Sequence, residues 1–223
     1  MPLSSQTLNF LDKLSKNNNK EWFELNRKSY ETAKQDFLQL TQHILQQVAK
    51  WDNTVAHLEP KNCVFRINRD VRFSKNKDPY KNNMGMSIAK GGKKINTAGY
   101  YFHLQPKASF IGGGFYMPMA DDLKKIRQEI DYNFNDFKKI ITSKSFTSVY
   151  KNLEATKEYT LSRPPKGYDE NNPAIEFLKL KCFIATVPLT NEQILDNKLE
   201  KNIESHFKAL HPLISFINNA LEN

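Results

Sequence analysis

An apolar stripe near each end of the chain encloses a middle of short strand-like runs, and that order sets the fold class. In the first stripe Phe23, Tyr30, Ala33, Phe37, Leu40, Ile44 and Val48 recur at spacings of three, four or seven. Such spacing puts them on one face of a long helix. The second stripe is Leu199, Ile203, Phe207, Leu210, Ile214, Ile217 and Leu221, with Pro212 expected to kink or split it. Between the stripes, Cys63 to Val71, Met84 to Ala89, Gly99 to Leu104 and Ser109 to Tyr116 are short, β-compatible and separated by turn residues. Strands that cluster, instead of alternating with helices, argue against a parallel βαβ fold. The expectation is one α+β domain over residues 1–223, a central, mainly antiparallel sheet with helices from both termini packed against it.

Punctuation along the chain agrees with this outline. Asn18-Asn19-Lys20-Glu21 places an Asn N-cap three residues before Glu, and Thr190-Asn191-Glu192-Gln193 repeats the capping-box pattern. Gln105-Pro106-Lys107 fits a hairpin connection. Gly112-Gly113-Gly114 inside a strand pattern signals a bulge or a close backbone approach. Helical patterning returns from Asp121 to about Ile141 and after Asn172-Pro173, and Phe183 to Val187 reads as a further buried strand.

Charge narrows the function classes. The net charge is +9, yet Lys61 to Lys94 holds ten Lys or Arg against two Asp, a local balance of +8. An excess gathered in one stretch points to an anion-binding surface more than to a generally basic protein. The first ten residues lack a basic region followed by an apolar one, and no run approaches a membrane span. Cys63 and Cys182 are far apart, which disfavours a disulfide framework and makes them buried apolar residues rather than nucleophiles. A soluble, cytoplasmic protein is expected, without membrane contact.

Within the basic stretch, arginine is the informative residue. The chain uses Lys for most of its 33 cations and has six Arg, three of them at Arg66, Arg69 and Arg72. A chain so biased should keep Arg where a planar fork of donors is needed, as for carboxylate or phosphate. If the segment is extended, Arg66, Asp70 and Arg72 share one face. Asp70 would then orient the guanidinium groups or take a proton. The Asp78-Pro79-Tyr80 turn would bring Lys77, Tyr80 and Lys81 back toward them. Arg66, Arg69, Arg72, Lys77 and Lys81 are therefore the ligand-binding candidates, and Asp70 and Tyr80 the candidates for proton transfer. The competing reading is a scaffold in which Asp70 and Asp78 pair with neighbouring cations.

Other constellations are weaker. Ala89-Lys90-Gly91-Gly92-Lys93-Lys94 lacks the phosphate-loop spacing and reads as a basic hairpin tip. The five His residues show no metal-binding spacing, so neither a metal nor another cofactor is expected. His103 draws interest because it sits in an aromatic-rich strand. Ser74 has no nucleophile-elbow context.

At Arg66, Arg69, Asp70, Arg72, Phe73, Lys77 and Tyr80 the chain resembles a bacterial and fungal family of conserved hypothetical proteins, a domain of unknown function. The family signature is Arg-x-x-Arg-Asp-x-Arg-Phe-x-x-x-Lys-x-x-Tyr. The resemblance extends to Asn18 through Phe23, Asn26-Arg27, Gly99-Tyr100-Tyr101, the glycine cluster, Arg127 and Pro165-Lys166-Gly167-Tyr168. Asn76 departs from it, standing where relatives often carry Asp. The resemblance implies a location and an α+β fold, and no reaction. An anionic small molecule at Arg66–Lys81 is thus the leading expectation, with catalysis left open. The alternatives are nucleic acid on the Lys61–Lys94 surface, stacking on Tyr100, Tyr101 or Phe110, and a scaffold for a protein partner.

Overall fold

The first apolar stripe folds as two helices, preceded by another. In the computed structural model, which describes residues 2–94 and 96–222 except the Lys94 side chain, α1 spans Ser5–Lys16, α2 Lys20–Leu25 and α3 Arg27–Val48. The break at Asn26 has a local cause. Its side-chain amide joins its own backbone N–H on the Trp22 carbonyl, and the residue sits at φ −109° and ψ 14°, outside helical values. The cap of α2 is Asn19, whose side chain accepts from the Trp22 N–H. Asn18, the residue that the capping-box spacing selects, is engaged elsewhere.

The region expected to form the first strand does so only in fragments. Pro60 opens a short helix, α4 (Pro60–Cys63), as Pro suits a first helical turn. Beyond it, isolated antiparallel bridges join Val64 to Met86 and Asn68 to Tyr80. The Arg69 N–H reaches the Pro79 carbonyl at 2.9 Å. Pro79 has no N–H to return, so the ladder stops there.

Regular strands follow: β1 (Met84–Ala89), β2 (Gly99–Leu104) and β3 (Ser109–Phe115). The β2–β3 hairpin closes through Ser109, whose hydroxyl donates to the Gln105 carbonyl and accepts from the Gln105 N–H. The long helical run after β3 is cut at Asn133 into α5 (Ala120–Tyr132) and α6 (Phe134–Thr142), followed by α7 (Lys144–Tyr150). Next come α8 (Ile175–Leu178), β4 (Phe183–Leu189), α9 (Asn191–Leu195) with the Thr190/Gln193 capping box, and α10 (Leu199–Glu222). Pro212 lies inside α10 without splitting it. The four strands form one antiparallel sheet in the order β1-β2-β3-β4, giving an α+β fold.

The chain divides into two compact units whose boundaries fall within the four strands and α10. The first comprises Met1–Ile88, Tyr101–Ile111 and Pro188–Ser205. Its core includes Phe37, Leu40 and Ile44 of α3 and Phe102 of β2, with the Phe37 and Phe102 rings 6.0 Å apart. Complete burial of one such ring contributes about 1.5–3 kcal/mol. The second comprises Ala89–Tyr100, Gly112–Val187 and His206–Asn223. There Tyr100 packs on Phe207 and hydrogen-bonds to His211 Nδ1 at 2.7 Å, while Phe137 and Phe146 are sealed from solvent. Glycine is required in this unit at Gly114. Its φ is +113°, and a Cβ there would lie 2.0 Å from the Phe183 carbonyl oxygen. Of the two sequence alternatives for the glycine cluster, this is a close backbone approach.

Candidate functional site

The arginine-rich segment lies wholly in the first unit, where residues 64–69 run beside 79–86. Between them the chain leaves as a loop that is braced from within. Arg69 donates from Nη1 to the Asp78 carbonyl at 2.9 Å and from Nη2 to Ser74 Oγ at 3.3 Å. Lys77 Nζ donates to the Val71 carbonyl at 3.1 Å, and Asn76 Oδ1 accepts the Asp78 N–H at 2.8 Å. Two of the expected ligand-binding cations thus hold the loop's own acceptors. At Arg69 the fork matters, because its two ends reach two different groups.

Arg72 and Asp70 pair with each other. Nε and Nη2 of Arg72 donate to the two carboxylate oxygens at 3.0 and 2.7 Å, and the Arg72 N–H adds a third bond. Both side chains are open to solvent, so the pair contributes little to stability. The Arg72 hydrogen bonds hold the Asp70 carboxyl below the usual carboxylate range, and Asp70 raises Arg72 in turn. A carboxylate so stabilised orients a guanidinium well and accepts a proton poorly. Beside it Phe73 is 96% exposed, with the Arg72 guanidinium 5.8 Å from its ring centre.

Tyr80 stands apart from these cations. Its ring stacks on Phe23 with centroids 3.9 Å apart, and the residue is 6% exposed. Asn18 clamps its backbone, accepting the Tyr80 N–H at 3.1 Å and donating to the Tyr80 carbonyl at 2.9 Å. Burial raises the phenol's pKa, and the Glu24 carboxylate pushes it the same way. Tyr80 is thus packed as a core aromatic.

What the fold does bring together is Arg66, Lys81 and an aromatic face. Lys81 is half-buried, donates to the Arg66 carbonyl at 2.9 Å and lies 5.6 Å from the centre of the Phe65 ring. Burial, followed by repulsion from Arg66, draws its pKa down. Among the described residues neither Arg66 nor Lys81 has an ion-pair partner. Phe65 meets Tyr101, which meets Phe110, and Phe110 stacks on His103 at 4.8 Å. All four are at least partly exposed; for Tyr101 and His103 the reason is alternation along β2, which turns Phe102 and Leu104 into the core and these two away from it. Tyr101 needs Gly85 as a neighbour, since a Cβ there would lie 2.7 Å from the phenol oxygen.

Tyr101, His103 and Gln105 form a hydrogen-bonded row on one face of β2 and just past its end. The Gln105 amide oxygen lies 3.0 Å from His103 Nε2, and the Tyr101 hydroxyl lies 3.0 Å from Nδ1. With a carbonyl opposite Nε2, the neutral ring carries its proton there and accepts from Tyr101 at Nδ1. Burial lowers the His103 pKa against the pull of Gln105, and pushes that of Tyr101 up to about 12. Both groups are therefore neutral near pH 7.

Two participants escaped the sequence reading. Phe65 was passed over although it precedes Arg66, and only pairing with 85 discloses that it faces Tyr101. Asn18 reads as a cap from its spacing alone, because its partner Tyr80 is distant in sequence. Tyr100, offered as a stacking face, is fully buried. Lys90 pairs with Glu222, and Lys90 and Lys93 belong to the second unit; the Lys94 side chain lies outside the described residues. Both cysteines are buried, as thiols. Among the described residues no three His, Cys, Asp or Glu side chains gather as a metal would require, and no helix is long and apolar enough to cross a membrane.

A family model described as conserved hypothetical protein DUF2461 matches residues 6–216. No curated protein and no solved structure matches the chain. With a match running from α1 into α10, the chain belongs to the DUF2461 family of conserved hypothetical proteins.

Proposed function

We propose that the protein binds a phosphate- or carboxylate-bearing ligand on an open surface of the first unit, with Arg66 and Lys81 holding the anion. The observation that carries this reading is Lys81: half-buried, depressed in pKa beside a second cation, and without a carboxylate partner. An oxyanion between Arg66 and Lys81 would relieve their repulsion and satisfy donors that no acidic side chain meets. Arg72, already oriented by Asp70, offers a further contact at the loop crest. Arg69, Lys77 and Asn76 keep that crest in shape before ligand arrives, which lowers the cost of binding. The low pKa of Asp70 and the packing of Tyr80 favour binding over proton transfer here.

A second reading, nucleic acid, is favoured by the partly exposed Phe65, Tyr101 and Phe110 beside those cations, since bases stack on such rings. Salt separates the two. A polyanion neutralised at about six phosphates loses roughly a thousandfold in affinity between 50 and 200 mM salt. A small anion held by the half-buried Lys81 and by Arg66 loses far less. Phosphorylated and carboxylated metabolites should be screened by thermal shift, with single-stranded oligonucleotides in parallel. For whichever probe binds, Arg66→Gln with Lys81→Gln should weaken affinity by roughly a hundredfold, at about 1.5 kcal/mol per charged hydrogen bond. Lys93→Arg, in the second unit, should leave it unchanged. Undiminished affinity in the double variant would reject the site.

A further inference from the structure

In the second unit, Arg127 on α5 is half-buried and carries a charge that no described carboxylate answers. Its Nη2 donates to the Leu180 carbonyl at 3.0 Å, while Nε is buried without a partner. Nη1 also lacks a protein acceptor but, unlike Nε, is not sealed from solvent. The Thr160 hydroxyl is buried and unpartnered too, on a residue bridged to Leu180. Asp131, one helical turn after Arg127, is the obvious counter-ion, yet it accepts from Asn172 Nδ2 at 2.6 Å. A desolvated guanidinium with two idle nitrogens is costly to keep unless something negative meets it.

Tyr168 belongs to the same unit. Its phenol and the Arg127 guanidinium feel each other's charge. Burial and Asp131 raise the phenol's pKa more than Arg127 lowers it, so the hydroxyl stays protonated and available as a donor.

We propose that Arg127 and Tyr168 form a second oxyanion site, taking a phosphate or carboxylate group on the Arg127 Nη1 edge with the Tyr168 hydroxyl as co-donor. Thr160 and Asn172 frame it: the first borders the Leu180 carbonyl that anchors the guanidinium, and the second keeps Asp131 occupied. The site is separate from Arg66 and Lys81, and its failure leaves that reading standing.

The test follows the Arg127 Nε–Hε resonance, assigned by its loss in Arg127→Lys, while inorganic phosphate or succinate is titrated at constant ionic strength against sodium chloride. A saturable shift with either oxyanion, absent with chloride, is expected; which of the two acts identifies the group bound. Tyr168→Phe should weaken that response by roughly tenfold, as for one charge-assisted hydrogen bond lost. Arg66→Gln with Lys81→Gln should leave it intact. Should Arg127→Lys fail to fold, Tyr168→Phe and assignment through neighbouring backbone resonances suffice. No shift, an equal shift with chloride, or a response indifferent to Tyr168→Phe would overturn the proposal.

Discussion

His103 shows how much one side chain's surroundings decide. Its ring is stacked on Phe110, receives the Tyr101 hydroxyl at one nitrogen and faces the Gln105 carbonyl with the other. Because burial holds its folded pKa below the ordinary histidine value, the unfolded chain binds more protons across the interval between the two. Stability is therefore full above about pH 6.5 and declines as pH falls through the folded pKa. An NMR titration should place the His103 midpoint below that of a free imidazole, and Gln105→Leu should lower it further by removing the acceptor for Nε2–H. A midpoint at or above the free value would show that the ring is more solvated than its neighbours indicate. The strand that holds His103 was legible in sequence, and so was its aromatic company. The tautomer was not, because it depends on Gln105 lying across from Nε2, and residue spacing carries no such distance. Arginine scarcity likewise pointed to the Arg66–Arg72 segment, but it could not separate Arg69, which braces a loop, from Arg66, which braces nothing.

Among elements, β3 is the most demanding of its sequence. Gly114 and Gly167 both have positive φ, +113° and +93°, yet a Cβ at Gly167 would meet nothing within 4 Å. Alanine at Gly167 should cost only the backbone term, about 1–2 kcal/mol. Alanine at Gly114 adds a collision with the Phe183 carbonyl and should cost about 3–5 kcal/mol, or prevent folding. Urea denaturation of both variants compares them directly, and equal losses would mean that β3 and β4 can separate cheaply. Periodicity found the helical stripes and all four regular strands. It missed the breaks at Asn26 and Asn133, where one polar residue ends a helix whose apolar pattern runs on. It also overextended the first strand, since Pro79 halts pairing from the opposite side and leaves no mark on residues 63–71 themselves.

For the whole molecule, the charge-rich stretch crosses a boundary between the units. The +8 between Lys61 and Lys94 reads as a single patch, whereas the fold assigns Lys90 and Lys93 to the second unit and the earlier cations to the first. Within the first unit, Lys61 and Arg72 have acidic partners, and Arg69 and Lys77 serve backbone or hydroxyl acceptors. The internal bracing of the 70–78 loop has a further consequence. Arg72 and Lys75 are exposed at its crest, with Arg72 bound only to the exposed Asp70, whereas Arg69, Lys77 and Lys81 donate to backbone or hydroxyl oxygens. Brief trypsin treatment should cut first after Arg72 or Lys75. The two pieces should still elute as one folded species, because the 64–69/79–86 pairing, the Asn18 clamp and the Phe23–Tyr80 stack all lie outside the cut. Pieces that part under native conditions would show that the loop is a tether. If they stay together, the crest is a seam at which the polypeptide can be opened, circularly permuted or given an inserted tag while the rest keeps its shape.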